Sequence, residues 1–155
     1  MTSLIIFWFR NDLRLSDNPG FFQVAAKGVI MPIYIFDEEG AEPFKMGSAS
    51  RWWLHHSLTS LNCSLQQKLN IYSGSTQEVF KKLLSEHKIQ EVYWSRCYEL
   101  SSRKQETDVV NLLQQHKIKF QSFNASLLWE PSEILKKDNK PYQIFTPFYR
   151  QAISQ

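Results

Sequence analysis

The chain has 155 residues, of which 43% are hydrophobic and 14% aromatic, and a formal net charge of +3. That length and apolar content suit one globular domain with a proper core and argue against disorder. No apolar run is long enough to span a bilayer, and Arg10 interrupts the first too early for a secretory leader, so a soluble cytoplasmic chain with no membrane partner is expected.

The first apolar run, Leu4–Phe9, reads as a buried strand and leads straight into "WFRNDLRLSDNPGF", a dense knot of charge. Asp17 or Asn18 can cap the helix that follows, and Pro19 suits its first turn because the missing N–H costs no hydrogen bond there. A second strand is expected over Val29–Phe36. The stretch Ser50–Leu69 places Leu54, Leu58, Leu61, Leu65 and Leu69 on one helical face, which predicts a core-facing stripe. A third strand over Asn70–Ser73 precedes Ser75-Thr76-Gln77-Glu78, which matches a capping box in which Ser75 and Glu78 satisfy each other's backbone N–H groups. Strands over Glu91–Ser95 and Ile118–Phe123 flank another helical stretch.

Apolar runs alternating with amphipathic stretches predict an α/β fold, a Rossmann-like doubly wound sheet of five parallel strands with helices on both faces. The alternation stops after Phe123. Residues 1–125 therefore read as the α/β domain, and 126–155 as an extended, turn-containing tail whose last helix begins near Thr146-Pro147.

In such sheets ligands bind outside the carboxyl ends of the strands, near the point where strand order reverses. The first strand is normally central, so Arg10, Asn11 and Asp12 are expected at that rim, joined by Asp37 after the second strand and by Ser95 and Arg96 after the fourth. Arg14 and Asp17 read instead as a local ion pair that ties the loop down.

A dinucleotide or P-loop site needs glycines that let backbone N–H groups approach phosphate. Gly20, Gly28, Gly40, Gly47 and Gly74 form neither GxGxxG nor GK[ST]. His55 and His56 are adjacent on one helix and point about 100° apart, while His87 and His116 lie at helix ends, so no metal site is expected. Cys63 and Cys97 lie outside CxxC spacing and read as reduced thiols. No nucleophile elbow or acid/base pair is present, so hydrolysis by this chain is unsupported. Of the five tryptophans, Trp8 and Trp94 sit at strand ends facing the rim and are the candidates for ligand contact.

Three segments resemble the N-terminal α/β domain of the DNA photolyase and cryptochrome family. "WFRNDLRLSDNPGF" is similar to its opening signature, "MGSASRWWLHHSLTSL" to its second-helix segment with Gly47, Arg51, Leu54, Ser57 and Leu58 in place, and "KPYQIFTPFYR" to the stretch that closes the domain. The resemblance implies light-dependent repair of cyclobutane pyrimidine dimers by electron transfer from FAD. Both FAD and UV-damaged DNA would be held by a helical domain that this chain lacks, leaving the chain alone inactive. It also implies an antenna chromophore in the α/β domain, a deazaflavin, FMN or folate, absent in some members.

On this resemblance Arg10, Asn11 and Asp12 form the antenna-side rim with Asp37, Met46 and Arg51 as neighbours, while Arg14, Asp17 and Asn18 hold the loop. Folate-binding members carry an Asn-Glu pair whose glutamate contacts the pterin. Ser101 and Ser102 stand at those positions, which shifts the expectation toward a deazaflavin, a flavin or an empty site. Two other readings stand beside repair: a cryptochrome photoreceptor sharing the domain, and a stand-alone nucleotide-binding module of universal-stress-protein or electron-transfer-flavoprotein type, which would carry a glycine-rich loop after the fourth strand.

Overall fold

The computed structural model describes residues 4–38 and 45–154, so Gly40 lies outside the described residues. The chain divides into two compact units, Met1–Ala125 and Ser126–Gln155.

The first unit runs β1 (Leu4–Phe9), α1 (Pro19–Ala25), β2 (Val29–Phe36), α2 (Ser48–Ser64), β3 (Asn70–Ser73), α3 (Thr76–Glu86), β4 (Ile89–Ser95), α4 (Leu100–Gln115) and β5 (Lys119–Phe123). The five strands pair in parallel in the order β3-β2-β1-β4-β5, the expected doubly wound sheet with β1 at its centre. β4 begins two residues earlier than its sequence pattern suggests, because Ile89 pairs with Leu4 ahead of a register shift.

Alternate residues of β1 feed two cores, as a strand covered on both faces requires. Ile6 and Trp8 pack with Phe80, Leu83, Val109 and Leu113 under α3 and α4, whereas Ile5, Phe7 and Phe9 pack with Val24 of α1 and Leu61 of α2.

Local chemistry sets where the helices begin. Asn18 caps α1, its Oδ1 accepting from the Phe21 amide at 3.0 Å, and Pro19 occupies the first turn. A Cβ on Gly20 would lie 2.8 Å from Phe123 Cδ2 and 3.2 Å from Phe7 Cε2, so only glycine lets α1 settle this closely on the sheet. The capping box expected at α3 does not form. Ser75 makes no side-chain cap bond, and Asp37 Oδ2 instead accepts from the Thr76 amide at 2.8 Å and its hydroxyl at 2.7 Å. A carboxylate at a helix N-terminus gains a charge-assisted bond and the helix dipole, which a serine hydroxyl cannot match.

α2 spans 48–64, short of the predicted end at Leu69, because Gln66 and Gln67 take left-handed φ values of 54° and 63°. Its leucine stripe is core only in part. Leu58 and Leu61 are buried, while Leu54, Leu65 and Leu69 are half-buried.

Below the sheet's C-terminal rim, Lys27 donates to the Tyr93 hydroxyl, which donates to Glu91 Oε2 at 2.5 Å, and the Lys27 ammonium lies 4.6 Å from the centre of the Tyr93 ring. Burial first, then the Glu91 bond, raises the Tyr93 pKa, and burial raises those of Tyr34 and Tyr72. The Tyr93 bond first, then Lys27, lowers that of Glu91. Groups raised on folding stabilise below their unfolded pKa and lose that contribution as pH climbs through the folded value. Stability is therefore expected to fall above about pH 10, the unperturbed tyrosine value. Glu91, lowered on folding, gives the opposite limb, lost as pH falls through its folded pKa. Urea unfolding from pH 4 to pH 11.5 on the parent and Tyr93→Phe checks this: the variant should show a shallower alkaline limb.

Within the second unit, Leu135 and Pro141 form an isolated antiparallel bridge and α5 spans Phe145–Ile153, starting one residue before Thr146. Phe145 stacks on Tyr149 at 5.5 Å.

Candidate functional site

A cleft of about 160 Å³ opens outside the carboxyl ends of β1, β2 and β4, between the N-termini of α3 and α4. This is where a doubly wound sheet reverses its strand order and leaves a crevice. β1 contributes Trp8, Phe9, Arg10 and Asn11 to its walls, β2 and its exit Tyr34 to Glu38, and α4 Ser101, Ser102 and Gln105.

Arg10 is 7% exposed and spans the cleft's inner wall, bonding Glu106 Oε2 at 3.2 Å and the Ser102 carbonyl at 2.9 Å with its guanidinium 4.5 Å over Trp8. Asn11 lies at the lip, its Nδ2 donating to Glu99 Oε1 at 3.4 Å. Asp37 Oδ2 takes the α3 cap bonds and accepts from Gln105 Nε2 at 3.2 Å, joining β2, α3 and α4 around one oxygen. Glu99, the N-cap of α4, makes no side-chain cap bond, so the first turn of α4 meets the cleft with no side-chain acceptor from its own cap.

The cleft's ionised groups are held by protein partners: Arg10 by Glu106 and Glu38 by Arg51, both from outside the cleft wall, and Asp37 by the Thr76 and Gln105 donors. Burial pushes the Cys97 thiol and the Tyr34 phenol up, so both face the cleft uncharged at neutral pH. Such a site can bind and orient a ligand through neutral donors, acceptors and ring faces.

Several expected rim residues do other work. Asp12 is 5% exposed and is absent from the cleft's walls. Its carboxylate accepts from the Arg10 amide at 3.1 Å, Asn18 Nδ2 at 2.8 Å and Ser95 Oγ at 2.5 Å, which makes it the hub of the β1–α1 loop. Arg96 is turned to β5, where Nε and Nη2 bond the Ser122 hydroxyl and carbonyl, both at 2.9 Å. Arg51 sits on a neighbouring groove, pairing with Glu38 and donating to the Met46 carbonyl at 3.0 Å; Glu38 and Met46 themselves line the cleft. Arg14 ties the loop through main-chain carbonyls, Asp17 at 3.0 Å and Ala125 at 2.6 Å, rather than through the Asp17 carboxylate. Asp17 takes a left-handed φ of 51°, a conformation aspartate tolerates. Trp8 lines the cleft, whereas Trp94 is buried against Phe120 and Trp8.

Thr76, Cys97, Tyr34 and Gln105 line the cleft although the sequence reading placed none of them at the rim. Helical spacing was the available signal for one of them, since Gln105 lies four residues after Ser101; the same spacing puts Glu106 four after Ser102. Among the described residues no cluster of histidine, cysteine and carboxylate could hold a metal, and no helix is long and apolar enough to cross a membrane.

The parallel sheet and its switch-point cleft define a domain of the doubly wound α/β class. The DNA photolyase family pattern matches residues 5–155. A deoxyribodipyrimidine photo-lyase of Agrobacterium fabrum is 37% identical over 96% of the chain, and cryptochrome-2 of Arabidopsis thaliana 31% identical over 99%. The crystal structure of a bacterial class III photolyase from Agrobacterium tumefaciens superposes over the whole chain with a TM-score of 0.88 at 34% identity. The chain belongs to the DNA photolyase family. It spans 31% and 26% of the two relatives' lengths and 32% of the solved photolyase. Family membership sets aside the stand-alone nucleotide-binding module.

Proposed function

We propose that this chain is the antenna part of a light-dependent DNA repair enzyme, a cyclobutane pyrimidine dimer photolyase, and that its switch-point cleft grips one edge of the antenna chromophore. The cleft itself carries this reading: half-buried aromatic residues in its wall, neutral hydroxyls and an amide at the lip, and charged groups already bonded to protein partners. At about 160 Å³ it is smaller than the roughly 300–1,000 Å³ of a complete small-molecule site, so it suits a ring edge rather than a whole chromophore.

Half-buried Tyr34 and Phe36 would flank the ring, while Asn11, Ser101, Ser102 and the first turn of α4 would meet its polar edge. Arg10, Asp37 and Gln105 would hold those groups in place. When bound, an antenna absorbs near-UV or blue light and passes the excitation to the flavin. The serine pair supplies no carboxylate, which favours a deazaflavin or FMN over folate. FAD and damaged DNA fall to the remainder of the longer protein, working in the cytoplasm. Exposed Phe145 and Tyr149 on α5 and exposed Trp52 and Trp53 on α2 are apolar surfaces suited to docking it.

Absorption spectra of the full-length protein, with and without Ser102→Tyr, test the assignment. The bulky side chain should lower the antenna band by roughly tenfold, the ratio for a 1.4 kcal/mol loss, and leave the flavin bands intact. An unchanged antenna band would remove the cleft from consideration. The cryptochrome relative at 31% identity supports a photoreceptor as the second reading. Light-driven repair of a dimer-containing oligonucleotide separates the two.

A further inference from the structure

We propose that the α4 wall of the switch-point cleft recognises a cyclic imide edge, a ring N–H flanked by two carbonyls, and that the Gln105 carbonyl oxygen accepts from that N–H. The inference rests on the reading of the cleft as a ring-edge site and adds which edge it grips.

Hydrogen-bond accounting inside the cleft carries it. Asp37 Oδ2 accepts three bonds, from the Thr76 amide at 2.8 Å, the Thr76 hydroxyl at 2.7 Å and Gln105 Nε2 at 3.2 Å. An oxygen that already holds two other donors can only accept from Gln105, so the side-chain amide must turn its NH2 group toward Asp37 and its carbonyl oxygen away. Gln105 is half-buried in the cleft wall, and among the described residues no donor reaches its Oε1. The chain's own bonds have thus oriented an acceptor without satisfying it, and a ligand N–H is the group that completes the amide.

The neighbours of Gln105 supply the rest of the pattern. Ser101 and Ser102 precede it by four and three residues, which places all three on one face of α4, and all three line the cleft. Neither serine hydroxyl has a partner among the described residues, so each can rotate to donate to a ligand carbonyl. Two hydroxyl donors beside one fixed acceptor complement a carbonyl, an N–H and a second carbonyl. Charge keeps the N–H protonated: an imide that had lost its proton would bring a second anion up to the Asp37 carboxylate, with Glu38 in the same wall. Phosphate and carboxylate groups, which only accept, are disfavoured for the same reason.

The test titrates lumiflavin, which carries such an imide, and its N3-methyl derivative into the 155-residue chain, followed by flavin emission and by amide NMR shifts. Saturable lumiflavin binding is expected, with shifts at Ser101, Ser102 and Gln105. Methylation at N3 should weaken it by roughly tenfold, because the Gln105 carbonyl then faces a methyl group with no donor. Gln105→Met keeps the side-chain length and removes the acceptor, while Asp37 retains both Thr76 bonds, so this variant should bind the two probes equally. Equal binding of the two probes by the parent, the parent's ratio persisting in Gln105→Met, shifts confined to residues outside the cleft, or no binding at all would each overturn the proposal. The Ser102→Tyr absorption spectrum reports separately where the antenna sits. An unchanged antenna band together with N3-methyl discrimination would leave the cleft an imide site and move the antenna elsewhere, so the two readings fail distinguishably.

Discussion

Asp12→Ala is expected to lower stability by about 3–5 kcal/mol, since three buried donors lose their acceptor and each such loss costs about 1–3 kcal/mol before partial relaxation. The Arg10 amide, Asn18 Nδ2 and Ser95 Oγ all point at that one carboxylate. The damage also spreads along the chain. Asn18 caps α1 with its other side-chain atom, so freeing its amide loosens the helix whose Gly20 packs on Phe7 and Phe123. Urea unfolding of the parent, Asp12→Ala and Ser95→Ala measures this. Ser95→Ala removes a single bond and should cost about 1 kcal/mol. A loss for Asp12→Ala no larger than that for Ser95→Ala would show that the carboxylate is not the hub.

Arg10→Met is expected to cost about 2–4 kcal/mol, because truncating one member of a buried pair leaves the other charge uncompensated. The Arg10 side chain is 5% exposed and that of Glu106 19%, so water can rescue the abandoned carboxylate only in part. The Ser102 carbonyl loses its donor as well. Combining Arg10→Met with Glu106→Gln should recover part of the loss, giving a coupling energy of about 1–2 kcal/mol in a double-mutant cycle. Strict additivity would mean that the two side chains do not interact energetically. Arg10 also fixes where Ser102 stands, so the single variant should reduce antenna content even at a temperature where the protein remains folded.

The knot of charge after the first strand has two physical purposes that a linear reading blurs. Arg10 and Asn11 face the cleft, while Asp12, Arg14 and Asn18 satisfy the backbone and each other within the loop. Both sets are polar residues of one short segment. Their division depends on Ser95 from β4 and Ala125 after β5 arriving at the same place. The same holds at α3, where Ser75 and Glu78 satisfy a local pattern that Asp37, 39 residues from Thr76, overrides.

By itself, the sequence determined what depends on near neighbours: the alternation of strands and helices, the Asp17-Asn18-Pro19 stretch opening α1, and the family through its motifs. Those signals are periodicity and capping, which operate over a turn or two of chain. Only the tertiary structure decided which polar groups are consumed by the fold and which are left facing the cleft, because each carboxylate and guanidinium chooses among donors and acceptors brought together across the sheet. It also decided that α2 does not close on β2 and β3. A leucine stripe specifies that a helix has an apolar face, and the surrounding packing determines how much of that face is filled by protein and how much is left as a groove.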